Sequence, residues 1–75
     1  MTVKASITGK PGSITIEVKK GFTAKDVVAL AAEQFGLNDY DVNAIVVLVD
    51  GKPADPDTNV EDAETVAAAP KPTLG

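Results

Sequence analysis

The chain has no cysteine, no histidine and no tryptophan among its 75 residues, and aromatic side chains make up only 4%. Without cysteine there is neither a disulfide nor a thiol nucleophile, and without histidine the commonest general base and metal ligand is missing. The lack of disulfides is compatible with a reducing compartment. No apolar run approaches the roughly 18 residues of a membrane-spanning helix, and the opening MTVKASITGK holds no apolar stretch of signal-peptide type. The expected setting is therefore cytoplasmic, with no membrane partner. Positive charge is also scarce: 7 basic residues stand against 11 acidic ones, a net charge of −4. Nucleic-acid binding is dominated by cationic contacts to phosphate, so a nucleic-acid partner is not expected and a basic protein partner is favoured.

What is present fits one small soluble domain, with 44% apolar and 24% charged residues. Val3, Ala5 and Ile7 alternate with Lys4, Ser6 and Thr8, and after Gly9-Lys10-Pro11-Gly12 a second alternation sets Ile14, Ile16 and Val18 against Thr15, Glu17 and Lys19. A period of two on either side of a Gly/Pro turn predicts a β-hairpin. GFTAKDVVALAAEQFG reads as a helix, with Thr23 as N-cap, Asp26 as the capping-box acid and Gly36 just past the last turn. Phe22 is placed to pack on Val27, and Val27, Leu30, Ala31 and Phe35 form the expected apolar stripe.

Ala44 to Val49 is an unbroken apolar run that stops at Asp50-Gly51, as in a strand covered on both faces or one exposing an apolar face. KPADPDTN is expected to be a loop with at most a short edge strand, and ETVAAAP is the last strand candidate despite the modest β-propensity of alanine. This order predicts an α+β domain in which one helix crosses a mixed sheet of four to five strands, with the first and last strands parallel at its centre. That arrangement is the β-grasp. Residues 1–69 are assigned to the domain and 70–75 to a flexible, extended C-terminal tail.

The segment VVLVDGKPADPDTNVEDAETVAAAPKPTLG resembles the ThiS/MoaD sulfur carriers, a family of ubiquitin-like β-grasp proteins: a strand, a D-G-K turn, a loop, an apolar strand with proline, and a glycine-terminated tail. Two positions differ, since Ala63 stands where the family usually has glycine and the tail ends Leu74-Gly75 instead of Gly-Gly. The resemblance implies a carrier or modifier that is not itself an enzyme. It binds no cofactor of its own; an adenylating (activating) enzyme uses ATP to activate the terminal glycine, and a sulfur donor, acceptor or target protein follows. Gly75 and Leu74 would be the residues activated or conjugated. An α-carboxyl titrates at roughly 3.3 to 3.7, so it is an anion at neutral pH. Glycine, lacking Cβ, fits a narrow cleft. Pro70 and Pro72 favour polyproline II, in which the six residues from Pro70 would reach roughly 19 Å at about 3.1 Å per residue.

The docking face for such partners is expected on the central strand, with Ile45, Val47 and Val49 as candidates alongside Pro70 and Pro72, and Val46 with Leu48 as the alternate set. Asp50, Asp55, Asp57, Glu61, Asp62 and Glu64 cluster in sequence. Counted from Asp55, a calcium loop would need glycine at its sixth position and glutamate at its twelfth, where this chain has Val60 and Val66. The cluster is therefore expected to be a solvated acidic surface rather than a metal site. Lys10, Lys19 and Lys20 flank the hairpin as solubilising charges or a minor docking patch. The other function left open is a non-catalytic β-grasp interaction module with an inert tail.

Overall fold

The computed structural model describes residues 1–37 and 44–70. Strands β1 (Thr2–Ile7) and β2 (Ile14–Glu17) form the expected antiparallel hairpin, Val3 opposite Ile16 and Ala5 opposite Ile14. Gly9 and Gly12 in its turn have φ of 93° and 79°, values that side chains with a Cβ rarely adopt. The helix α1 (Ala24–Gln34) follows. Its start is fixed as the sequence predicts, because the Asp26 carboxylate accepts hydrogen bonds from the Thr23 backbone N–H and the Thr23 hydroxyl, both at 3.0 Å.

Strands β3 (Ile45–Val49) and β4 (Lys52–Ala54) make a second antiparallel hairpin, and β5 (Thr65–Pro70) completes the sheet in the order β2-β1-β5-β3-β4. β5 runs parallel to β1 and antiparallel to β3, so the last strand is the middle of the sheet. The turn from β3 to β4 consists of Asp50 and Gly51, with φ of 51° and 83°. Two consecutive residues with positive φ define a type I′ turn, whose twist matches the flanking strands. The fold is the β-grasp, with five strands and one helix among the described residues.

The alternation seen in the sequence selects the face of the sheet that α1 covers. Val3, Ala5, Ile7, Ile16, Val18, Ile45, Val47, Val66 and Ala68 are buried there, with Ala24, Val27, Val28, Ala31 and Ala32 of α1 in the same cluster. Alanines stand at the middle of both surfaces, which lets helix and sheet approach closely. Their presence explains why a strand as alanine-rich as β5 belongs at the centre: there small size matters more than intrinsic propensity. No polar or charged residue among those described is buried.

Two expectations change. Leu30, expected in the apolar stripe, is 37% exposed, while Val28 is 1% exposed. The buried face is centred on Ala24, Val28 and Ala31, and Leu30 lies about 120° around the helix from it. The second change concerns the irregular segment before β5, which contributes a core residue. Val60 is fully buried, its N–H bonded to the Phe22 carbonyl at 3.1 Å. The same segment closes the helix N-terminus, since Ala24 and Lys25 donate their otherwise orphaned N–H groups to the carbonyls of Thr58 and Pro56, each at 2.9 Å.

Val60→Ala is expected to destabilise the domain by about 2 kcal/mol through lost burial and a residual cavity. At roughly 4–8 °C per kcal/mol for a domain of this size, thermal denaturation followed by circular dichroism would show a melting temperature lower by about 10 °C. Leu30→Ala, on the open side of α1, is expected to leave it nearly unchanged.

Candidate functional site

The candidate site begins at the end of β5, from which the last residues of the chain continue. Pro70, expected to open the tail, is the last residue of β5 and stands opposite Ile45 of β3. On its other side β5 is held by Thr8, whose N–H and hydroxyl both donate to the Ala68 carbonyl at 2.9 and 3.1 Å. The chain beyond Pro70 therefore starts from a point fixed between the β1–β2 turn and the beginning of β3. Pro72, Leu74 and Gly75 lie outside the described residues.

The opposite end of β5 is fixed by Asp50. Its Oδ1 accepts the N–H groups of Glu64 at 2.8 Å and Thr65 at 3.0 Å, and its own N–H donates to the Thr65 carbonyl at 3.0 Å. A single residue in the left-handed turn thus sets both the β3–β4 hairpin and the register of β5. The two ends of β5 are about 17 Å apart. Most of the acidic segment consequently sits at the end of the sheet remote from Pro70.

The acidic residues act separately. Glu61 Oε2 accepts from Asn59 Nδ2 at 2.7 Å and from the Gly21 N–H at 3.1 Å, joining the segment to the entry of α1. These bonds, the one from Asn59 first, hold its carboxyl below the ordinary glutamate value. Asp57 pairs with Lys25 at 3.0 Å, and this bond raises the lysine above its usual range. Both partners are well exposed, so solvent screens the pair and its contribution is small. Among the described residues no three acidic side chains converge as a cation site would require.

The docking candidates on β3 need correction. Ile45 and Val47 are 6% and 1% exposed, facing α1, and Val49 shares their parity and packs against the same core. The burial of Ile45 and Val47 under the helix removes them from any partner surface, and the half-buried Val49 packs on the same side. A continuous apolar strand gives no period-two signal, so the sequence could not say which set faced in. The outward set is Val46 and Leu48, both half-buried. The register places Val46 beside Ala69, and Leu48 between Ala67 and Pro53, with Ser6 on the far side of Ala67. These residues form an apolar strip across the face of the sheet turned away from α1, visible only once the strand order is known.

No protein-family model and no curated protein matches the chain. A solved structure does: a chain of the protein-protein complex of subunits 1 and 2 of molybdopterin-converting factor from Helicobacter pylori 26695, with a TM-score of 0.65 and 19% identity, covering 100% of both chains. The likeness shows the fold, a β-grasp, along the whole length of both chains. No helix among the described residues is long and apolar enough to cross a membrane.

Because the folded-state value of Glu61 lies below the ordinary 4.5, its bonds contribute stability that is complete above that pH. That contribution is lost as the pH falls through the lower, folded-state value. Glu61→Gln is expected to flatten the acid limb of stability against pH while the stability of the parent falls. Urea unfolding at a series of pH values from neutral to about 3 measures the difference between them. Lys25 has the opposite sign, its contribution disappearing only as the pH rises past 10.5.

Proposed function

We propose that this protein is a ubiquitin-like sulfur carrier or modifier that acts through the carboxylate of Gly75. The observation that carries the reading is the full-length likeness to a chain of the molybdopterin-converting factor complex, together with a last strand at the centre of the sheet. A tail leaving such a strand is anchored on both sides, so a partner can draw it into a channel without unravelling the domain. In the proposed reaction the Gly75 carboxylate oxygen attacks the α-phosphorus of ATP in the active site of an adenylating enzyme. Pyrophosphate leaves and an acyl-adenylate forms. A sulfur or amine nucleophile then attacks the glycyl carbonyl, the acyl–phosphate bond breaks, and AMP departs. The chain supplies the acyl group and the fit, and the activating enzyme supplies the catalysis.

For docking, the strip of Val46, Leu48, Ala67 and Ala69 offers apolar area beside the acidic groups of Asp50 and Glu64, so the partner surface is apolar with a basic rim. The same strip favours a second reading, an interaction module that binds through the sheet without chemistry at its tail. In the ThiS/MoaD-like reading the setting is the cytoplasm.

Incubation with ATP and a cognate adenylating enzyme and sulfur source is expected to exchange one carboxylate oxygen for sulfur, or to yield a conjugate, by intact-mass spectrometry. Gly75→Phe is expected to abolish either product. An unchanged mass with an enzyme competent on its own carrier overturns the carrier reading. Leu48→Asp separates the two readings from a folding defect: the domain should remain folded and lose its partner, whereas Val47→Asp, placing a charge in the core, should unfold it. Binding retained by Gly75→Phe but lost by Leu48→Asp, with no product from the parent, would identify the interaction module.

A further inference from the structure

The two edges of the sheet differ in what their main chains offer. On β3 the Asp50 N–H bonds to Thr65 of β5, so in the alternating antiparallel ladder Val49 and Val47 are the residues bonded to β4. Lys52 and Ala54, opposite them, turn their polar groups inward, and the residue between, Pro53, turns outward. A proline has no N–H to offer, so this edge is blunted.

Among the described residues the β2 edge is open. Val18 donates its N–H to the Met1 carbonyl at 2.8 Å, making that opposed pair hydrogen-bonded. Alternation makes Val3–Ile16 and Ala5–Ile14 bonded pairs as well, and leaves Thr15 and Glu17 with their N–H and C=O groups directed away from β1. Lys4 of β1 and Thr8 just beyond it confirm the parity, since both donate to the other side, to Glu64 and Ala68. Thr15 and Glu17 are exposed, and β2 has one neighbouring strand among those described. Charge is distributed unevenly in the same sense. Residues 1–20 hold four of the seven lysines and one of the eleven acids, with Lys10 before β2 and Lys19 and Lys20 after it.

We propose that the β2 edge binds an extended, acidic segment of a protein partner as an additional strand, with Thr15 and Glu17 supplying the main-chain bonds and Lys10, Lys19 and Lys20 meeting carboxylates at its ends. Strand addition gives affinity through the backbone and leaves selectivity to side chains. Here the selectivity is for negative charge. A second copy of the chain is disfavoured, because antiparallel pairing of two β2 edges brings Lys19 and Lys20 of one against Lys10 of the other. The proposal does not depend on Gly75 or on the outward strip of β3 and β5.

The test uses the whole chain and two blocked peptides, one alternating valine with glutamate and one alternating valine with lysine, followed by amide NMR and hydrogen exchange. Saturation with the glutamate peptide is expected to slow exchange of the Thr15 and Glu17 N–H groups roughly tenfold, with little change at Ile14 and Ile16, whose N–H groups are already bonded. Binding should vanish in about 1 M salt, where the Debye length falls to about 3 Å. Lys19→Glu combined with Lys20→Glu, two exposed changes that leave the core untouched, should weaken binding roughly fivefold. Thr15→Pro should remove it by blunting this edge as Pro53 blunts the other. Equal binding of the lysine peptide, unprotected Thr15 and Glu17 amides at saturation, or shifts confined to Val46 and Leu48 would each overturn the proposal.

Discussion

The structure depends on the pairing of β5 between β1 and β3. Without β5 the two hairpins do not touch through hydrogen bonds, and each is a two-stranded ribbon of the kind that is marginal in water. With it, a single sheet forms, and the apolar residues of both hairpins fall on one face for α1 to cover. The pairing closes a loop of nearly the whole chain, so its entropic cost precedes any gain from packing. Asp50 and Thr8 secure the strand near its two ends by hydrogen bonds to the backbone, and Ala68 and Val66 secure its middle by burial.

Stability in so small a domain is shared among features that appear minor one at a time. Among the described residues the core has fifteen buried apolar side chains, none larger than isoleucine. The segment before β5 makes up part of what a larger core would provide, inserting Val60 and capping the first turn of α1 with the carbonyls of Pro56 and Thr58. Helix, segment and central strand are therefore coupled: loss of Val60 from its place frees the helix N-terminus as well. The carboxylates of Asp26, Asp50 and Glu61 each satisfy backbone N–H groups, which explains why acidic residues gather there without forming a common site.

Much of this was legible in the sequence where local chemistry decides the outcome. Thr23, Asp26 and Gly36 mark the helix because capping is local. The alternations around Gly9 and Gly12 mark a hairpin for the same reason, and Asp50-Gly51 marks a turn. Features set by tertiary context were not legible. A lone valine at position 60 in a polar stretch carries no periodicity, and IVVLV contains no signal of which face turns inward. Leu30 reads as part of the buried stripe but is exposed, because a helix rich in alanine can rotate its buried face without losing amphipathic character. The strip of Val46, Leu48, Ala67 and Ala69 needs a strand order to exist at all. For the residues after Pro70 the fold adds only the point from which they continue, the end of the central strand.

The parallel alignment of the first and last strands has a mechanical consequence. The start of β1 and the end of β5 lie at opposite ends of adjacent strands. A force drawing the two termini apart therefore loads the bonds of that ladder together, in shear, instead of opening them one after another like a zipper. A domain tethered this way resists being unravelled by a machine that grips its C-terminal end and pulls against its beginning.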